Sequence, residues 1–437
     1  MITTRVVMSN GNKVFERFLG LVGRETWQKQ IGKIERTQRQ YPLVGAYRRD
    51  QYVLVRAIER YAEIFESKGA VSAHEIATEK LDCAVDFMTR ILSLVDACDP
   101  ESLNNFVGRV RNALRDLAAL RGLELEMNTA SYYTSQGFRV LWRELANSVP
   151  ETKTYDLFVE DVADGGLEVE CKSFMEDTGR QIGRESAREL HGVLVKFLTP
   201  LLKHLSVGIA VSIAIPGRFD GVLKSYDQQA TLARRILGAI SPVVATEDMT
   251  PKNHKYPDAV EVRIQRFDLG LLDDLDLRDK SFHELQRSRT MFGRLTATAR
   301  LENATYFCEP LHEGQGALII ALHSEGDDQF VDKVARTAKE TAKEQLTGQR
   351  PGLLVLGLPI PSADLARSSR SQLDQIAEKV FASDDCRHVI GVWFMGESRF
   401  LKHGVDSVEM GATTYRCTRE AFKDCESQRL SYGRRCS

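Results

Sequence analysis

Apolar residues recur at helical spacing through the first third of the chain. Leu54, Ile58, Tyr61 and Phe65 fall on one face of a helix that Asp50 can cap and Gly69 ends. Ser72 and Glu75 form a capping box, and Ile76, Leu81, Ala84, Met88, Ile91 and Val95 follow at the same period up to a break at Asp99-Pro100. Leu103, Phe106, Val110, Leu114 and Leu117 mark a third helix ended by Gly122. Strand-like alternation is missing here, so residues 1–122 read as an all-helical N-terminal domain.

From residue 123 the pattern becomes mixed. A helix over Leu123 to Gln136 stops at Gly137, and FRVLW, Phe138 to Trp142, reads as a strand. YDLFVE and LEVECKSF read as two more strands around an Asp-Gly-Gly turn at Asp164 to Gly166. A helical stretch from Gly179 to Leu202, the strand VGIAVSIAI, a helix near 227–240 and the strand VEVRIQRF follow. Asp268 to Arg300, with its run DDLDLRD, is the linker candidate. Beyond it ALIIALH, GLLVLGL and VIGVWF alternate with helices near 328–346 and 369–381. Strands separated by helices predict an α/β sheet with several parallel strands. The implied division is 1–122, 123–270 and 271–437, the last either completing the central sheet or folding separately.

Composition narrows the class. At 437 residues, 43% hydrophobic and 27% charged, the chain suits two or three globular domains. The 59 basic and 61 acidic residues leave a net charge of −2, which argues against wholesale electrostatic binding of nucleic acid but leaves room for a local basic patch. The longest apolar stretch, Gly352 to Pro361, is too short to span a bilayer, and the N-terminus shows no secretory pattern. Eight scattered cysteines without CxxC or CxxxC spacing fit free thiols, so a cytoplasmic protein without a membrane anchor is expected.

The informative chemistry lies in Tyr155 to Phe174. Alternation along a strand puts Glu168, Glu170 and Lys172 on one side and Val169 and Cys171 on the other. If the glycine turn closes a hairpin, Asp156 falls roughly opposite Glu170 to Lys172, and two carboxylates and a lysine share one surface. Like charges held together favour a cation between them. Carboxylate oxygens with water suit Mg²⁺ or Mn²⁺, whereas the histidine or cysteine set that zinc prefers is lacking. Two other Glu-x-Lys runs, at Glu66 and Glu151, sit at a helix end and in a loop, so the strand context sets Glu170-Cys171-Lys172 apart.

This arrangement resembles the PD-(D/E)xK, or restriction-endonuclease-like, nuclease superfamily, with an Mrr-like core over Leu123 to Phe174. The resemblance rests on a Glu-bearing helix ended by Gly137, the strand FRVLW, Asp156, the turn, and Glu170 with Lys172; Tyr155 stands where the superfamily often has proline. It implies an α/β fold with a mixed sheet flanked by helices and a divalent-metal-dependent nuclease. Asp156, Glu170 and the main-chain carbonyl of Cys171 would bind Mg²⁺, with Mn²⁺ as substitute, and Glu126 would bind a second ion or reach the first through water. Glu124 is a rival to Glu126, and Glu168 either assists the second ion or is a solvated strand residue. Lys172 would orient the attacking water, while Gln181 and Arg180 in the next helix are candidates to touch the phosphate. DNA is expected before RNA as substrate, in a prokaryotic restriction, defence or repair role. The N-terminal helices are expected to take a partner protein, a second copy of the chain or nucleic acid.

The competing class is a non-catalytic interaction or ligand-sensing protein on the same scaffold. A sensor in the C-terminal half requires a pocket at the carboxyl ends of its strands, where no phosphate-binding fingerprint is seen. The cationic helix bearing Lys333, Arg336, Lys339 and Lys343 and the basic tail from Arg416 read as solvated surfaces.

Overall fold

A glutamate-bearing strand and the helix packed against it bring together most of the residues that the sequence singles out. The structure, a computed structural model, describes residues 2–7, 10–40, 51–97, 100–142, 155–162, 165–175, 177–202, 206–248, 250–267, 299–301, 304–309, 317–359, 370–396, 399–403, 407–412 and 414–419. The expected cap Asp50, the break residue Asp99, the turn residue Asp164, most of the linker candidate and the tail beyond Arg419 lie outside the described residues. The class is α/β, with mixed sheets and twelve α-helices among the described residues. Two compact units are formed: Met1–Glu35, Arg48–Thr178 and Val331–Ser437 make the first, and Arg36–Tyr47 with Gly179–Phe330 the second.

The first unit opens with strand β1 (Ile2–Val7) and helices α1 (Gly11–Val22), α2 (Glu25–Gln40, whose residues from Arg36 fall in the second unit), α3 (Val53–Lys68), α4 (Ala73–Thr78), α5 (Asp82–Ala97), α6 (Pro100–Ala113) and α7 (Leu117–Ser135). Phe15, Phe18, Trp27, Ile58 and Tyr61 centre their shared core. The Ser72–Glu75 capping box forms as the sequence predicts. The helix it starts is not continuous to Val95, because Lys80 takes a left-handed φ of 57° and separates α4 from α5. Gly122 likewise ends nothing. Asp116 accepts the Ala119 N–H at 2.8 Å and caps α7, so the helix begins before Gly122 and runs through it.

That continuity explains why the expected boundary at 122/123 does not divide the chain. Leu120, Leu123 and Met127 of α7 face the helical core, while Leu125, Ala130, Tyr132 and Tyr133 face a sheet. A helix with apolar residues on two sides is buried on both of them, and here it joins the two layers into one unit. The N-terminal region is also not all-helical. β1 pairs antiparallel with β14 (Ser407–Ala412), which pairs in turn with β13 (Arg399–His403). So short a strand, partnered at the far end of the chain, leaves no local pattern to read.

The sheet under α7 has the order β15-β12-β11-β4-β3-β2. β2 (Val140–Trp142), β3 (Leu157–Val159) and β4 (Leu167–Ser173) run antiparallel, and Gly166, at φ 83°, turns the chain between the last two. A side chain at Gly166 would meet the Phe158 ring, so glycine is required there. β4 then pairs parallel with β11 (Gly352–Gly357), and β11 with β12 (Val389–Met395). β15 (Thr414–Thr418) closes the edge antiparallel. Helix α11 (Phe330–Gln345) leads into β11, and α12 (Arg370–Phe381) into β12. The last third of the chain therefore contributes strands to the same sheet as β4.

The second unit contains α8 (Arg184–Leu202), β5 (Gly208–Ile215), α9 (Phe219–Val222), α10 (Tyr226–Val244), β6 (Lys252–Lys255), β7 (Glu261–Phe267), β8 (Ala299–Leu301), β9 (Ala304–Glu309) and β10 (Ala317–Ser324). Its sheet has the order β6-β7-β5-β10-β9-β8, with β5 and β10 parallel. Residues 179–267, expected in the central sheet with β4, belong here instead, and so does β10. The reason is pairing: β5 takes β10 as its parallel neighbour, over a core that includes Leu190, Leu194, Ile209, Val211, Ile213 and Ile236. The expected boundary at 270/271 thus gives way to divisions at 178/179 and 330/331. Among the described residues no helix is long and apolar enough to cross a membrane.

Candidate active site

Leu167, Val169 and Cys171 of β4 join the apolar cluster beneath α7, together with Leu125, Tyr133 and Leu353. Strand alternation then leaves Glu168, Glu170 and Lys172 on the opposite face. Leu157 pairs with Val169, so Asp156, one residue before β3, stands opposite Glu170. Its carboxylate Oδ2 accepts the Cys171 N–H at 2.7 Å, tying the start of β3 to the middle of β4. Asp156 and Glu170 are each only 7% exposed, whereas Lys172 is exposed. The sequence-predicted aspartate and glutamate therefore flank one peptide of one strand.

Glu126 approaches the same strand from α7. It is buried, and its carboxylate bonds the guanidinium of Arg109 on α6. One turn on, the Thr129 hydroxyl lies 3.8 Å from the Cys171 sulfur. Burial pushes the Cys171 thiol well above its usual range, and the charges of Asp156, Glu126 and Glu170 add to the effect in that order. A thiol raised in this way is a poor metal ligand.

Among the described residues no group of three or more His, Cys, Asp or Glu side chains is arranged to hold a metal ion. Alternation supplies a reason: Glu170 lies on one face of β4, and Glu126 comes from the helix on the other. Mg²⁺ commonly takes one or two carboxylates and completes its shell with water and substrate phosphate. Buried Asp156 and Glu170, with no thiolate beside them, fit such an ion in donor chemistry.

Glu168 takes neither role expected of it. It is fully buried, accepting the Thr347 N–H at 2.8 Å and the Thr347 hydroxyl at 2.5 Å, with Arg350 at 4.0 Å. It fastens the chain just after α11 to the start of β4. Arg180 and Gln181 are engaged within the second unit. Arg180 pairs with Asp328 at 2.7 Å, the Gln181 N–H donates to Asp328 at 2.9 Å, and the Gln181 amide donates to the Asp327 carbonyl at 2.7 Å. They precede α8, while the helix leading from β4's unit into β11 is α11.

A pocket of the kind that the ligand-sensing alternative requires lies at the carboxyl ends of β4, β11 and β12. A cavity of about 430 Å³ opens there, with Arg121, Glu124 and Asn128 of α7, Gln51, Ser173 and Phe174 in its walls. Glu124, the rival of Glu126 in the sequence, is the glutamate of α7 that lines this space. The available signal was the spacing of Arg121, Glu124 and Asn128, three and four residues apart and so on one side of α7. Comparison with protein-family models, with curated proteins and with solved structures gives no match to this chain.

Proposed function

We propose that this chain is a divalent-metal-dependent nuclease that hydrolyses phosphodiester bonds of nucleic acid, DNA before RNA, on a restriction-endonuclease-like core. The observation that carries this reading is the Asp156 carboxylate bound to the Cys171 N–H, between Glu170 and Lys172 of the E-x-K strand. The order of elements supports it: a helix, three antiparallel strands, then a helix and a parallel strand beside the third.

In this reading Asp156, Glu170 and the Cys171 carbonyl would hold Mg²⁺ or Mn²⁺, which would supply Lewis acidity toward the scissile phosphate and lower the pKa of a bound water. Asp156 does its part from a fixed position, because the Cys171 N–H holds one of its oxygens. Lys172 is exposed to an incoming phosphate; its ammonium orients the attacking water and offsets charge growing on the phosphoryl oxygens. The leaving group is the 3′ oxygen, and the product carries a 5′ phosphate. Glu126 is assigned to support, since its pair with Arg109 ties α7 to α6 behind the strand.

The test is cleavage of supercoiled plasmid, linear duplex, single-stranded DNA and RNA with Mg²⁺, Mn²⁺ or EDTA. Asp156→Ala and Lys172→Ala should each lower metal-dependent cleavage by at least about 10²-fold, the scale of losing one charge-stabilising group. Cleavage that persists in both variants, or that is indifferent to EDTA, removes the proposal.

A further inference from the structure

We infer that the outer face of α8 and α10, in the second unit, binds the phosphate backbone of duplex nucleic acid. This goes beyond the nuclease reading and does not depend on it, because Asp156, Glu170 and Lys172 all belong to the first unit. Three exposed cations carry the inference: Lys196 of α8, and Arg234 and Arg235 of α10. Lys196 lies over the Tyr226 ring at 5.6 Å, Arg234 over Phe197 at 5.0 Å and Arg235 over Tyr256 at 5.3 Å.

A ring in place of a carboxylate leaves the positive charge uncompensated. Other exposed cations meet acids: Arg17 pairs with Asp96, Arg60 with Glu79, Lys252 with Asp248 and Lys379 with Asp332. Among the described residues no carboxylate lies within ion-pair distance of Lys196, Arg234 or Arg235. A stacked guanidinium engages its flat face and keeps its N–H edge for an anion. The Lys196 ammonium gives one of its three donors to the Tyr226 hydroxyl, at 3.1 Å. The rings also hold the side chains in place, so less freedom is lost when an anion binds. The single acid of α10, Asp227, sits in its first turn, about two turns before Arg235.

The covered rings decide the kind of polyanion. Val53 and Tyr226 are the large apolar side chains exposed among the described residues, and Val53 belongs to the first unit. Tyr226 lies under Lys196, so the surface offers a lipid bilayer no apolar anchor, which stable attachment needs besides charge. The same covering keeps Tyr226, Phe197 and Tyr256 from stacking on unpaired bases, as single-strand binders do. Phosphate is what such a surface can recognise. Tyr226 and Arg234 are separated by about 12 Å along α10, comparable to the major-groove width of about 12 Å. Lys196 and Arg234 can thus meet phosphates on both rims of that groove.

The experiment is fluorescence anisotropy of a mixed-sequence DNA duplex titrated with the full chain in EDTA, over a range of salt, so that no cleavage enters. Each phosphate contact adds about 0.9 to the slope of log K against log salt. Lys196→Gln, Arg234→Gln and Arg235→Gln should each flatten the slope by about 0.9, and all three together by about 2.7. A control chain with Arg17→Gln, Lys252→Gln and Lys379→Gln loses the same formal charge and should keep the wild-type slope. Equal flattening in the two triple variants overturns the inference, as does a wild-type chain that does not bind the duplex. Phosphatidylserine vesicles or polyglutamate bound as tightly as the duplex at the same salt overturn it too. If the triple variant does not fold, the single variants, checked by circular dichroism, decide. A chain that binds through these cations and cuts nothing keeps the inference and loses the nuclease reading. One that cuts, with the same slope in every variant, does the reverse.

Discussion

The two six-stranded sheets share a plan and differ in what they bury. Each sets parallel strands at its centre and antiparallel strands toward its edges. Among the described residues the first unit buries Asp82, Asp86, Glu126, Asp156, Glu168 and Glu170. The second buries His191, Gln229 and Ser324 and no carboxylate. Its strand β5 turns Ile209, Val211, Ile213 and Ile215 into the core and carries no charge at all. Burying a carboxylate is costly unless partners are built for it. Asp86 has Arg90, Glu126 has Arg109, Glu168 has Thr347 and Asp156 has the Cys171 N–H. Among the described residues that cost is met repeatedly in the helices and sheet of the first unit and not in the second.

The sharpest way to break this contrast is to exchange the strands' roles in an assay. Glu170→Ala in β4 should lower metal-dependent cleavage by at least about 10²-fold, whereas Ser212→Ala in β5 should leave it within about twofold, a surface-like effect. Equal losses in plasmid cleavage would show that the second unit takes part in the reaction.

Stability separates the sheets next. Ile213→Ala opens a cavity in the second core and should cost about 3 kcal/mol, seen by urea unfolding. Glu168→Ala strands the Thr347 N–H in the first unit and should cost about 2 kcal/mol, although no apolar volume of note is lost. If Glu168→Ala is neutral, the buried carboxylate is not what fastens α11 to β4.

The thiols give a smaller, pH-dependent difference. Burial, with Glu124 and Asp82 adding to it, pushes the Cys83 thiol from 9.0 to about 12, and Cys171 is raised as well. A folded pKa above the unfolded one means that the unfolded chain releases these protons first as pH rises. Stability from these groups is therefore full below pH 9 and declines from there toward 12. Denaturation midpoints measured across that range should fall, and Cys83→Ser with Cys171→Ser should flatten the decline. The smallest effect expected is at the exposed Lys343–Asp385 pair, 3.2 Å apart, where Lys343→Ala should change stability by about 0.3 kcal/mol.

What the sequence disclosed follows the range of the forces involved. The Ser72–Glu75 box, the Gly69 helix end, the apolar run of β5 and the alternation around Glu170 are local, and the structure contains each of them. The meeting of Asp156 with Cys171 was also within reach, since a hairpin joins strands close in sequence. Pairings across the chain were not. Nothing in LEVECKS announces that β11 is its neighbour, nor in ITTRVV that β14 is. Glu168 was misjudged for the same reason: its partner Thr347 is far along the chain, and a carboxylate looks alike whether it faces water or a distant N–H.

The insertion of residues 179–330 has a consequence for how such a chain is assembled. Its two ends are stitched together: the Gln329 N–H donates to the Gly179 carbonyl at 2.7 Å. Gly179 holds φ at 68°, and a Cβ there would lie 2.7 Å from the Gln329 carbonyl, so the backbones close tightly only because the residue is glycine. Residues 179–330 therefore leave and return at neighbouring backbone positions, although the second unit also takes in Arg36–Tyr47. Excising that segment and sealing the gap with a short turn is expected to leave the ladder between β4 and β11 in register, which amide hydrogen exchange on β4 would check. Gain or loss of the entire second sheet would then be one editing event in a gene, and the carboxylate-bearing strand would keep its neighbours either way.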